Sequence, residues 1–293
     1  MEKVIIIGAG PAGISAALYA VRGNLDPLVI NNGIGALEKA EKIENYYGLE
    51  HPLSGKELYD TGITQAKALG VRILDAQVLG VGGFDTFVVK TTEGEFETQS
   101  LILATGSKRA APKIPGVKEF EGKGVSYCAI CDAFFYRGKD VAVLGNGDFA
   151  MHEAKELSNT ASTVTIYTNG EEPEFTPEGN ISVNTMKIQS VEGDDLVSGI
   201  RLAPDVQAQE INAEAGQQTN DFCPADGVFI AMGTAGSTEI ARQMGAELTE
   251  KGNIKVNENM ETTIPGLYAA GDCTGGLLQV AKAVYEGAQA GIN

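Results

Sequence analysis

The chain opens with a short apolar strand that leads directly into a glycine-rich turn and then into a helix of small apolar residues. Residues 4–7 are Val-Ile-Ile-Ile, residues 8–13 are Gly-Ala-Gly-Pro-Ala-Gly, and residues 14–21 are small or apolar. A short continuous apolar run of this kind is typical of a parallel strand that is covered on both faces. The order therefore predicts a strand, a tight turn and a buried helix, which together begin a βαβ unit.

The same order of elements returns later in the chain, with Gly145 at a distance of 137 positions from Gly8. The second copy comprises a strand at 141–144, the turn Gly145-Asn146-Gly147, a helix ending near Ser158, a strand at 164–167 and a closing strand at 228–231. A final helix is predicted from Leu277 onward. Two βαβ units predict an α/β fold of two Rossmann-like domains, with the second inserted into the first.

The segment between the two units carries signals of its own. Ser54 followed by Glu57 is a capping box that predicts a helix start, and Gly70 suits the helix end. Residues 71–98 form short runs in which apolar and polar residues alternate, and glycine turns separate these runs. This pattern predicts antiparallel hairpins.

Prolines at positions 112 and 115 mark a linker. The predicted domains are therefore residues 1–111 with 236–293, and a central domain of residues 112–235.

Composition excludes several classes of function. The chain has 293 residues and a net charge of −17, which argues against a nucleic-acid partner and against an anionic membrane surface. Its two histidines, His51 and His152, are too few for a cluster of histidine ligands, so no metal site is expected. Glycines and a proline interrupt the uncharged residues 4–21, which favours a strand and helix over a membrane span. A cytoplasmic protein is expected.

The first glycine turn has the form G-x-G-x-x-G. Its first glycine, Gly8, allows a tight turn, Gly10 lets a pyrophosphate approach the backbone, and Gly13 lets the helix and strand pack closely. The following helix N-terminus favours negative charge, so the turn predicts a dinucleotide site; a purely structural turn is the alternative. The next strand ends in Asn31 where an acid is usual, and an amide can still hydrogen-bond a ribose hydroxyl.

Cys128 and Cys131 are spaced C-x-x-C. A zinc site would need two more ligands, and Cys223 and Cys273 are solitary, which favours ordinary buried thiols at those two positions. A redox dithiol needs only the C-x-x-C pair, since one thiolate attacks a disulfide and the second thiol resolves the mixed disulfide. Asp132 follows directly and would exchange the proton that this chemistry requires. Two buried thiols close together by chance are the alternative.

Together these motifs resemble those of the flavin-containing low-molecular-weight thioredoxin reductases. The shared motifs, in the same order and nearly end to end, are G-x-G-x-x-G, the A-T-G at 104–106, the C-A-x-C-D at 128–132, a second glycine turn and the A-G-D at 270–272. The resemblance implies the three-layer ββα fold of the FAD/NAD(P)-binding pyridine nucleotide-disulfide oxidoreductases. It also implies FAD as cofactor, thioredoxin as substrate and a homodimer.

The resemblance assigns a role to individual positions. The cofactor-binding set is Gly8, Gly10, Pro11, Ala12, Gly13, Asn31, Asn32, Leu37, Asn45, Val78, Ala104, Thr105, Gly106, Gly271, Asp272, Gln279 and Val280. Within this set, Asn45 and Asp272, with Gln279 and Val280, are expected to hold the ribityl chain and the isoalloxazine ring. The catalytic set is Cys128, which attacks the partner disulfide, Cys131, which faces the flavin, and Asp132, the acid and base. Ile130 and Ala133 depart from the family pattern without removing a reacting group.

The second glycine unit departs further. Family members that use NADPH carry a basic H-R-R run where this chain has Thr168, Asn169 and Gly170. Residues 171–195 hold seven acids and one base, a net charge of −6 that would repel a phosphorylated ligand. Phe149 is also expected to narrow the space beside a nicotinamide. We therefore expect the NAD(P)H-type site to be degenerate.

These losses resemble the ferredoxin-dependent flavin thioredoxin reductases, which keep the C-A-I-C-D core. Residues 108–139 hold seven bases and three acids, and such a basic face suits docking of an acidic ferredoxin, although a solvated surface without a role is the alternative. The expected reaction passes electrons from reduced ferredoxin through FAD to the Cys128–Cys131 disulfide and on to thioredoxin. Two alternatives stay open: an NAD(P)H-dependent thioredoxin reductase with an atypical nucleotide site, and a flavin and dithiol sensor or adaptor without turnover.

Overall fold

The computed structural model describes residues 1–83, 85–106, 112–127, 129–204, 221–233 and 236–293. Contacts divide the chain into two compact units, a first unit of residues 1–109 with 235–293 and a second unit of residues 110–234. Among the described residues, no helix has the length and apolar character that a membrane crossing requires.

The elements follow the chain in a largely alternating order. The strands are β1 (Glu2–Ile7), β2 (Pro27–Asn31), β3 (Arg72–Asp75), β4 (Val78–Gly82), β5 (Phe87–Thr91), β6 (Gly94–Leu103), β7 (Val125–Ser126), β8 (Asp140–Leu144), β9 (Thr163–Tyr167), β10 (Ser182–Asn184), β11 (Ile188–Gly193), β12 (Val197–Leu202), β13 (Phe222–Pro224), β14 (Gly227–Ile230) and β15 (Leu267–Ala269). The helices are α1 (Pro11–Arg22), α2 (Gly55–Ala68), α3 (Ala129–Asp132), α4 (Asp148–Ser158), α5 (Ser237–Gln243) and α6 (Val280–Ile292). Short 3-10 turns cover Gly35–Lys39, Ala133–Tyr136 and Asp272–Thr274.

The sheet of the first unit has the strand order β3-β2-β1-β6-β5-β4, and β15 pairs with β6. Strand β1 runs parallel to both β2 and β6, and α1 connects β1 to β2. Strand β6 is antiparallel to β5 in its first half and parallel to β15 in its last three residues. The predicted capping box at the start of α2 is confirmed, because the Glu57 carboxylate accepts the Ser54 N–H at 2.7 Å while the Ser54 hydroxyl accepts the Glu57 N–H at 3.2 Å.

The prediction of antiparallel hairpins over residues 71–98 is only partly right. Strands β4, β5 and β6 do form an antiparallel meander, but β3 pairs parallel with β2. Helix α2 lies between β2 and β3 in the chain, so it serves as the crossover that parallel pairing requires. The short alternating pattern of residues 72–75 does not distinguish the two kinds of pairing.

The second unit repeats the opening arrangement of the first. Its five-stranded sheet has the order β10-β9-β8-β14-β7 with parallel pairing throughout, and α4 connects β8 to β9. Strands β11, β12 and β13 form a separate antiparallel sheet. The fold is therefore α/β with two Rossmann-like domains, and the second lies in the chain between two segments of the first.

Helices α1 and α6 of the first unit pack unusually closely. A Cβ atom on Gly287 would lie 2.0 Å from the carbonyl oxygen of Ala12, and a Cβ atom on Gly291 would lie 2.2 Å from that of Ala16. The Ser15 hydroxyl donates to the carbonyl of Val284 at 2.7 Å. The two glycine contacts advance together along both helices, so the helices run in the same direction. A Cβ atom on Gly271, which precedes α6, would lie 2.9 Å from the Ala12 Cβ atom at the N-terminal end of α1.

Candidate functional site

The first glycine turn has the geometry that the sequence predicts. Gly8 has φ +110°, and its N–H donates to the carbonyl of Ile30 at 2.9 Å. A Cβ atom on Gly8 would lie 2.4 Å from the Ala104 oxygen, and one on Gly13 would lie 1.8 Å from the Gly8 oxygen. Both positions therefore require glycine, since only glycine lets the turn, the helix and the neighbouring strand approach this closely.

Gly10 is different, because a Cβ atom there would meet nothing within 4 Å. Gly10 is the N-cap of α1, no side chain caps the helix, and its first turn holds no acid. Pro11 lacks an N–H, but the amides after it have no intrahelical acceptor. Unpaired amides at the positive end of a helix, beside a glycine that faces open space, fit the pyrophosphate of a dinucleotide such as FAD.

The acid that is missing at the end of β2 is supplied by the neighbouring strand. Asn31 pairs in register with Asp75, and the Asn31 side-chain N–H donates to Asp75 Oδ1 at 2.6 Å. The hydroxyl of Tyr59 donates to Asn31 Oδ1 at 2.9 Å. Sequence reasoning missed Asp75 and Tyr59, although Asp75 directly follows the apolar residues of β3 and parallel strands end at the same edge of a sheet.

The A-T-G segment at 104–106 is fixed to the start of α5. The Thr105 and Ser237 hydroxyl oxygens lie 2.7 Å apart, and the Ser237 N–H donates to Thr105 Oγ1 at 2.8 Å. Ala104 is buried, and its N–H donates to the carbonyl of Ile7 at 2.8 Å, while Gly106 has φ +87°. The segment therefore continues from β6 directly beside the glycine turn.

Two residues that the resemblance assigns to the ribityl and isoalloxazine meet in the structure, although they are far apart in the chain. The Asn45 side-chain N–H donates to Gln279 Oε1 at 3.0 Å, and Gln279 is the N-cap residue of α6. Val280 is the first residue of α6. The close packing of α6 on α1 thus brings this amide pair into the same unit as the glycine turn.

Asp272 follows Gly271, whose φ of +86° places it in the left-handed region. Burial raises the pKa of the Asp272 carboxyl, and the Lys282 cation opposes that rise. The next residue, Cys273, is only 1% exposed, and burial raises the pKa of its thiol to about 12. Cys273 is therefore the inert buried thiol that the sequence predicts, whereas Cys223 is half-buried and that prediction is wrong for it.

The remaining assigned cofactor residues lie on neighbouring segments. Leu37 is buried in the 3-10 turn after β2, and Asn32 is exposed directly after β2. Val78 is buried at the start of β4, three positions after Asp75. No described contact places these three residues against the glycine turn.

The redox motif lies in the second unit. Cys128 lies outside the described residues, and so do the side chains of Ile130 and Cys131. The backbone from Ala129 to Asp132 is helical. The Ser126 hydroxyl donates to Asp132 Oδ2 at 2.6 Å, which fixes the carboxylate that the sequence assigns as acid and base.

Sequence reasoning also missed Glu153, a carboxylic acid of α4 that is 1% exposed. Its Oε2 accepts the N–H of Ala129, the residue after Cys128, at 2.7 Å, and its Oε1 has no hydrogen-bond partner. Burial raises the pKa of Glu153 to about 7, against the effect of the Ala129 hydrogen bond. The sequence gives no signal for it, because the residues around Glu153 include His152, Lys155 and Glu156 as well as apolar ones, and its burial is seen in the structure.

Two large aromatic side chains directly after the redox helix are exposed. Phe134 is 72% exposed and Phe135 is 67% exposed, and their rings meet edge to face with centroids 6.1 Å apart. The Arg137 guanidinium lies 5.7 Å from the Phe134 ring centroid. Exposed aromatic surface that directly follows the C-x-x-C motif in the chain is suited to contact with another macromolecule.

The second glycine turn differs electrostatically from the first. Gly145 keeps its strained conformation, with φ +159°, and its N–H donates to the carbonyl of Tyr167 at 3.0 Å. However, α4 begins with Asp148, and the Glu174 N–H donates to the carbonyl of Asn146 at 2.7 Å. The Glu174 Oε2 atom lies 3.9 Å from where a Cβ atom on Gly147 would stand. The end of α4 that would attract a phosphate thus already has two acids beside it.

Residues 168–170 of the turn after β9 include no cation, although the Lys187 side chain lies beside the turn: its Cβ atom is 3.7 Å from where a Cβ atom on Gly170 would stand. Thr168 is buried, and its N–H donates to the carbonyl of Asn184 at 3.0 Å. Asn169 Oδ1 accepts the N–H of Ile188 at 2.9 Å, so its side chain is used in holding the turn. Phe149 is 3% exposed within the core, and the expectation that it leaves less room beside a nicotinamide stays a prediction; the difference that the structure describes at the second glycine turn is one of charge.

Charges of both signs are exposed on the second unit. Five cations of the basic segment are described and exposed, and none of these five forms a salt bridge in the described part of the chain: Lys113, Lys118, Lys123, Arg137 and Lys139. Lys108 and Arg109 lie outside the described residues. In the acidic segment, Glu178 pairs with Lys155 at 2.6 Å and Glu192 with Arg201 at 2.6 Å.

No cluster of three or more potential metal ligands occurs among the residues that the structure describes.

Comparisons with known proteins agree with this geometry. The family described as pyridine nucleotide-disulphide oxidoreductase matches residues 2–287. The thioredoxin reductase of Aquifex aeolicus is 37% identical over 284 residues, which cover 92% of this chain and 84% of that protein. The thioredoxin reductase of Bacillus subtilis is 35% identical over 282 residues, with 92% and 85% covered.

Two solved structures are similar over nearly the whole chain. The atypical thioredoxin reductase of Desulfovibrio vulgaris Hildenborough has a TM-score of 0.87 and 39% identity, and the match covers 99% of this chain and 96% of that one. The ferredoxin-flavin thioredoxin reductase of Clostridium acetobutylicum has a TM-score of 0.67 and 30% identity, with 99% and 95% covered.

Proposed function

Because the chain belongs to the pyridine nucleotide-disulphide oxidoreductase family and is similar to thioredoxin reductases over nearly its whole length, we propose that it carries electrons from reduced ferredoxin to thioredoxin. The coarser activity follows from the family and these relatives: the chain is a flavin-dependent disulfide oxidoreductase of the thioredoxin reductase type, with FAD as cofactor. The proposal adds the electron donor and the residues that act.

The first unit provides the FAD site in this proposal. The uncapped N-terminus of α1 and the open space at Gly10 receive the pyrophosphate, and Asn31 with Asp75 binds the ribose hydroxyls. The amide pair of Asn45 and Gln279, together with Asp272, binds the ribityl chain and the isoalloxazine ring. Bound FAD supplies the chemistry of collecting electrons and passing a pair to a disulfide.

The dithiol carries out exchange with thioredoxin. Two electrons and two protons convert the Cys128–Cys131 disulfide into two thiols. The Cys128 thiolate attacks the thioredoxin disulfide, and Cys131 then attacks the mixed disulfide, which releases reduced thioredoxin and restores the starting disulfide. Asp132, held by Ser126, takes and returns the proton at the thiols. The exposed rings of Phe134 and Phe135 offer the protein substrate an apolar surface beside this dithiol.

The observation that favours a donor other than a pyridine nucleotide is that Glu174 lies against the second glycine turn. The Glu174 backbone is hydrogen-bonded to Asn146, and the Glu174 carboxylate lies beside Gly147, where a pyrophosphate would otherwise lie. Thr168 and Asn169 hold the following turn together and carry no positive charge, and the seven acids of residues 171–195 outnumber their one base, Lys187, which lies beside Gly170. Carboxylates near this helix end oppose the negative charge of NADPH and of NADH alike.

The exposed cations of the second unit favour ferredoxin as the donor. Ferredoxins are usually acidic, and complementary charge accelerates the encounter of two proteins. Since the cations have no carboxylate partner among the described residues, their charge is available to steer an acidic protein. The similarity to the Clostridium acetobutylicum ferredoxin-flavin thioredoxin reductase supports the same choice.

An NAD(P)H-dependent thioredoxin reductase is the second candidate. The observation in its favour is the intact β8-α4-β9 crossover, which keeps the strained Gly145 of a dinucleotide-binding turn. A Glu174→Ala variant helps to distinguish ferredoxin from NAD(P)H as the donor. Removal of the Glu174 carboxylate should improve NAD(P)H binding only if the rest of the nucleotide site is functional.

The anaerobic flavin spectrum tests the donor. Reduced ferredoxin should bleach the flavin absorbance within seconds, whereas NADPH and NADH should not, and the ferredoxin rate should fall as the ionic strength rises. A Cys128→Ser variant should keep flavin reduction but lose thioredoxin reduction, which confirms that the thiols lie downstream. Bleaching by NADPH as rapid as that by ferredoxin would contradict the donor assignment and leave the disulfide chemistry intact. The homodimer implied by the resemblance is tested separately by sedimentation.

A further inference from the structure

Two side chains of opposite charge lie nearly buried on α6, one helical turn apart. Lys282 Nζ and Glu286 Oε2 are 2.9 Å apart, and the two side chains are only 16% and 12% exposed. Removing a lysine and a glutamate from water is unfavourable unless their hydrogen-bonding groups are satisfied by other partners. The structure shows what these partners are, and all of them belong to one short segment.

Lys282 donates to three acceptors of the segment that contains Asp272. Its ammonium group lies 2.7 Å from the carbonyl oxygen of Gly271, 2.8 Å from Thr274 Oγ1 and 2.6 Å from the carbonyl oxygen of Gly275. An ammonium group has three protons to donate, and the three acceptors of the segment together with Glu286 Oε2 make four within reach, so its capacity is fully used.

Glu286 completes the arrangement from the other side. Its Oε2 accepts the backbone N–H of Gly271 at 2.8 Å and the hydroxyl of Thr274 at 2.9 Å. Backbone groups of Gly271, before Asp272, and of Gly275, after it, are therefore tied to the same ion pair. Gly271 and Gly275 both have positive φ, at +86° and +81°, so without these bonds the segment would have wide conformational freedom.

We propose that Lys282 and Glu286 are positioning residues for the cofactor, because they hold Asp272 in the place and orientation in which it binds FAD. The inference rests on the assignment of Asp272 to the FAD site. Neither residue needs to touch FAD, since the pair acts through the segment 271–275. Burial raises the pKa of Asp272, the Lys282 cation opposes that rise and the Glu286 carboxylate adds to it, so the pair acts on Asp272 through its position.

The test compares the rate of FAD release from the purified holoenzyme. Lys282→Met removes the donors and the charge, and FAD should dissociate at least about tenfold faster, as expected for the loss of several charge-assisted hydrogen bonds. Lys282→Arg keeps a cation with several donors and should restore slow release to within about threefold of the wild type. Lys255→Met is the matched control, because Lys255 pairs with Glu247 at 2.6 Å on the exposed surface of the same unit and should have no effect.

A spectroscopic measurement separates positioning from general stability. Visible circular dichroism of the bound flavin reports the surroundings of the isoalloxazine ring, so Lys282→Met should change this spectrum in the molecules that still hold FAD, and Lys282→Arg should not. If Lys282→Met yields no folded protein, Glu286→Gln decides the matter, since it is nearly isosteric and should still accelerate FAD release severalfold.

Wild-type release rates and an unchanged flavin spectrum in Lys282→Met, or in Glu286→Gln where that variant decides, would overturn the proposal. Asp272→Ala tests the assignment on which it rests: FAD release must accelerate in that variant too, and an unchanged rate there would also overturn the proposal. FAD release requires no electron donor, so a failure of the ferredoxin experiment would leave these results unaffected.

Discussion

Replacement of Glu153 by glutamine should remove a pH dependence of stability that the wild-type protein carries. Glu153 is 1% exposed and has one described hydrogen bond, from the Ala129 N–H at 2.7 Å. Burial raises the pKa of this carboxyl from 4.5 to about 7. Because the folded state holds the proton more tightly than the unfolded state, the full stability is present below pH 4.5 and is lost as pH rises through 7. A difference of this size corresponds to about 3 kcal/mol, at 1.36 kcal/mol for each pKa unit.

Glutamine has nearly the same shape and can still accept the Ala129 N–H, but it has no proton to lose. The difference in unfolding free energy between Glu153→Gln and the wild type should therefore shift in favour of the variant by about 3 kcal/mol from pH 4.5 to pH 8. Urea titrations followed by far-ultraviolet circular dichroism at several pH values measure this shift. Glu172→Gln is the control, because Glu172 is exposed in the same unit and is not among the groups that shift the pKa of Glu153. Parallel curves for Glu153→Gln and the wild type between pH 5 and 8 would refute the reasoning.

Two further predictions concern the first unit. Asp75→Asn should accelerate FAD release about fivefold, because it removes the carboxylate that accepts the Asn31 side-chain N–H at 2.6 Å. The control Asp60→Asn, on the exposed face of α2, should have no effect. Equal release rates in Asp75→Asn and the wild type would contradict the assignment of Asp75 to the ribose of FAD. Gly287→Ala should lower stability by about 1 to 3 kcal/mol, since its Cβ atom would lie 2.0 Å from the Ala12 oxygen, whereas Gly62→Ala, whose Cβ atom would meet only Ile14 at 3.7 Å, should be neutral or stabilising. Thermal unfolding of the two glycine variants checks this contrast. Equal unfolding midpoints for Gly287→Ala and Gly62→Ala would show that α1 and α6 can move apart without loss of stability.

Several local features of this chain follow from the sequence pattern alone. Gly13 is required by its close approach to Gly8, five residues earlier in the same βαβ unit, so the spacing alone predicts its geometry, whereas the close neighbour of Gly8 is Ala104 at the end of β6. The capping box joins Ser54 and Glu57, which are three residues apart, so the sequence alone sufficed to predict it and the structure confirms it. The repeat of strand, glycine turn and helix also sufficed to predict two Rossmann-like domains.

Electrostatic detail was harder to predict, because it depends on residues distant in the chain. The net charge of residues 171–195 is visible in the sequence, but only the fold brings the Glu174 backbone to Asn146. The size of Phe149 predicts a steric effect, but the sequence does not show that this side chain is buried in the core. The sequence thus gives the type of a side chain but not its orientation, because orientation is set by the packing of the whole unit.

The sequence by itself determined the order of elements, the glycine turns and the presence of a dithiol, because each depends on neighbours within a few positions. Only the tertiary structure decided that Asp75 stands beside Asn31, that Lys282 and Glu286 hold the Asp272 segment, and that Glu153 meets Ala129. These contacts join residues that are not neighbours in the chain. Parallel strand pairing and close helix packing bring such groups together, and no local periodicity encodes which of them will meet.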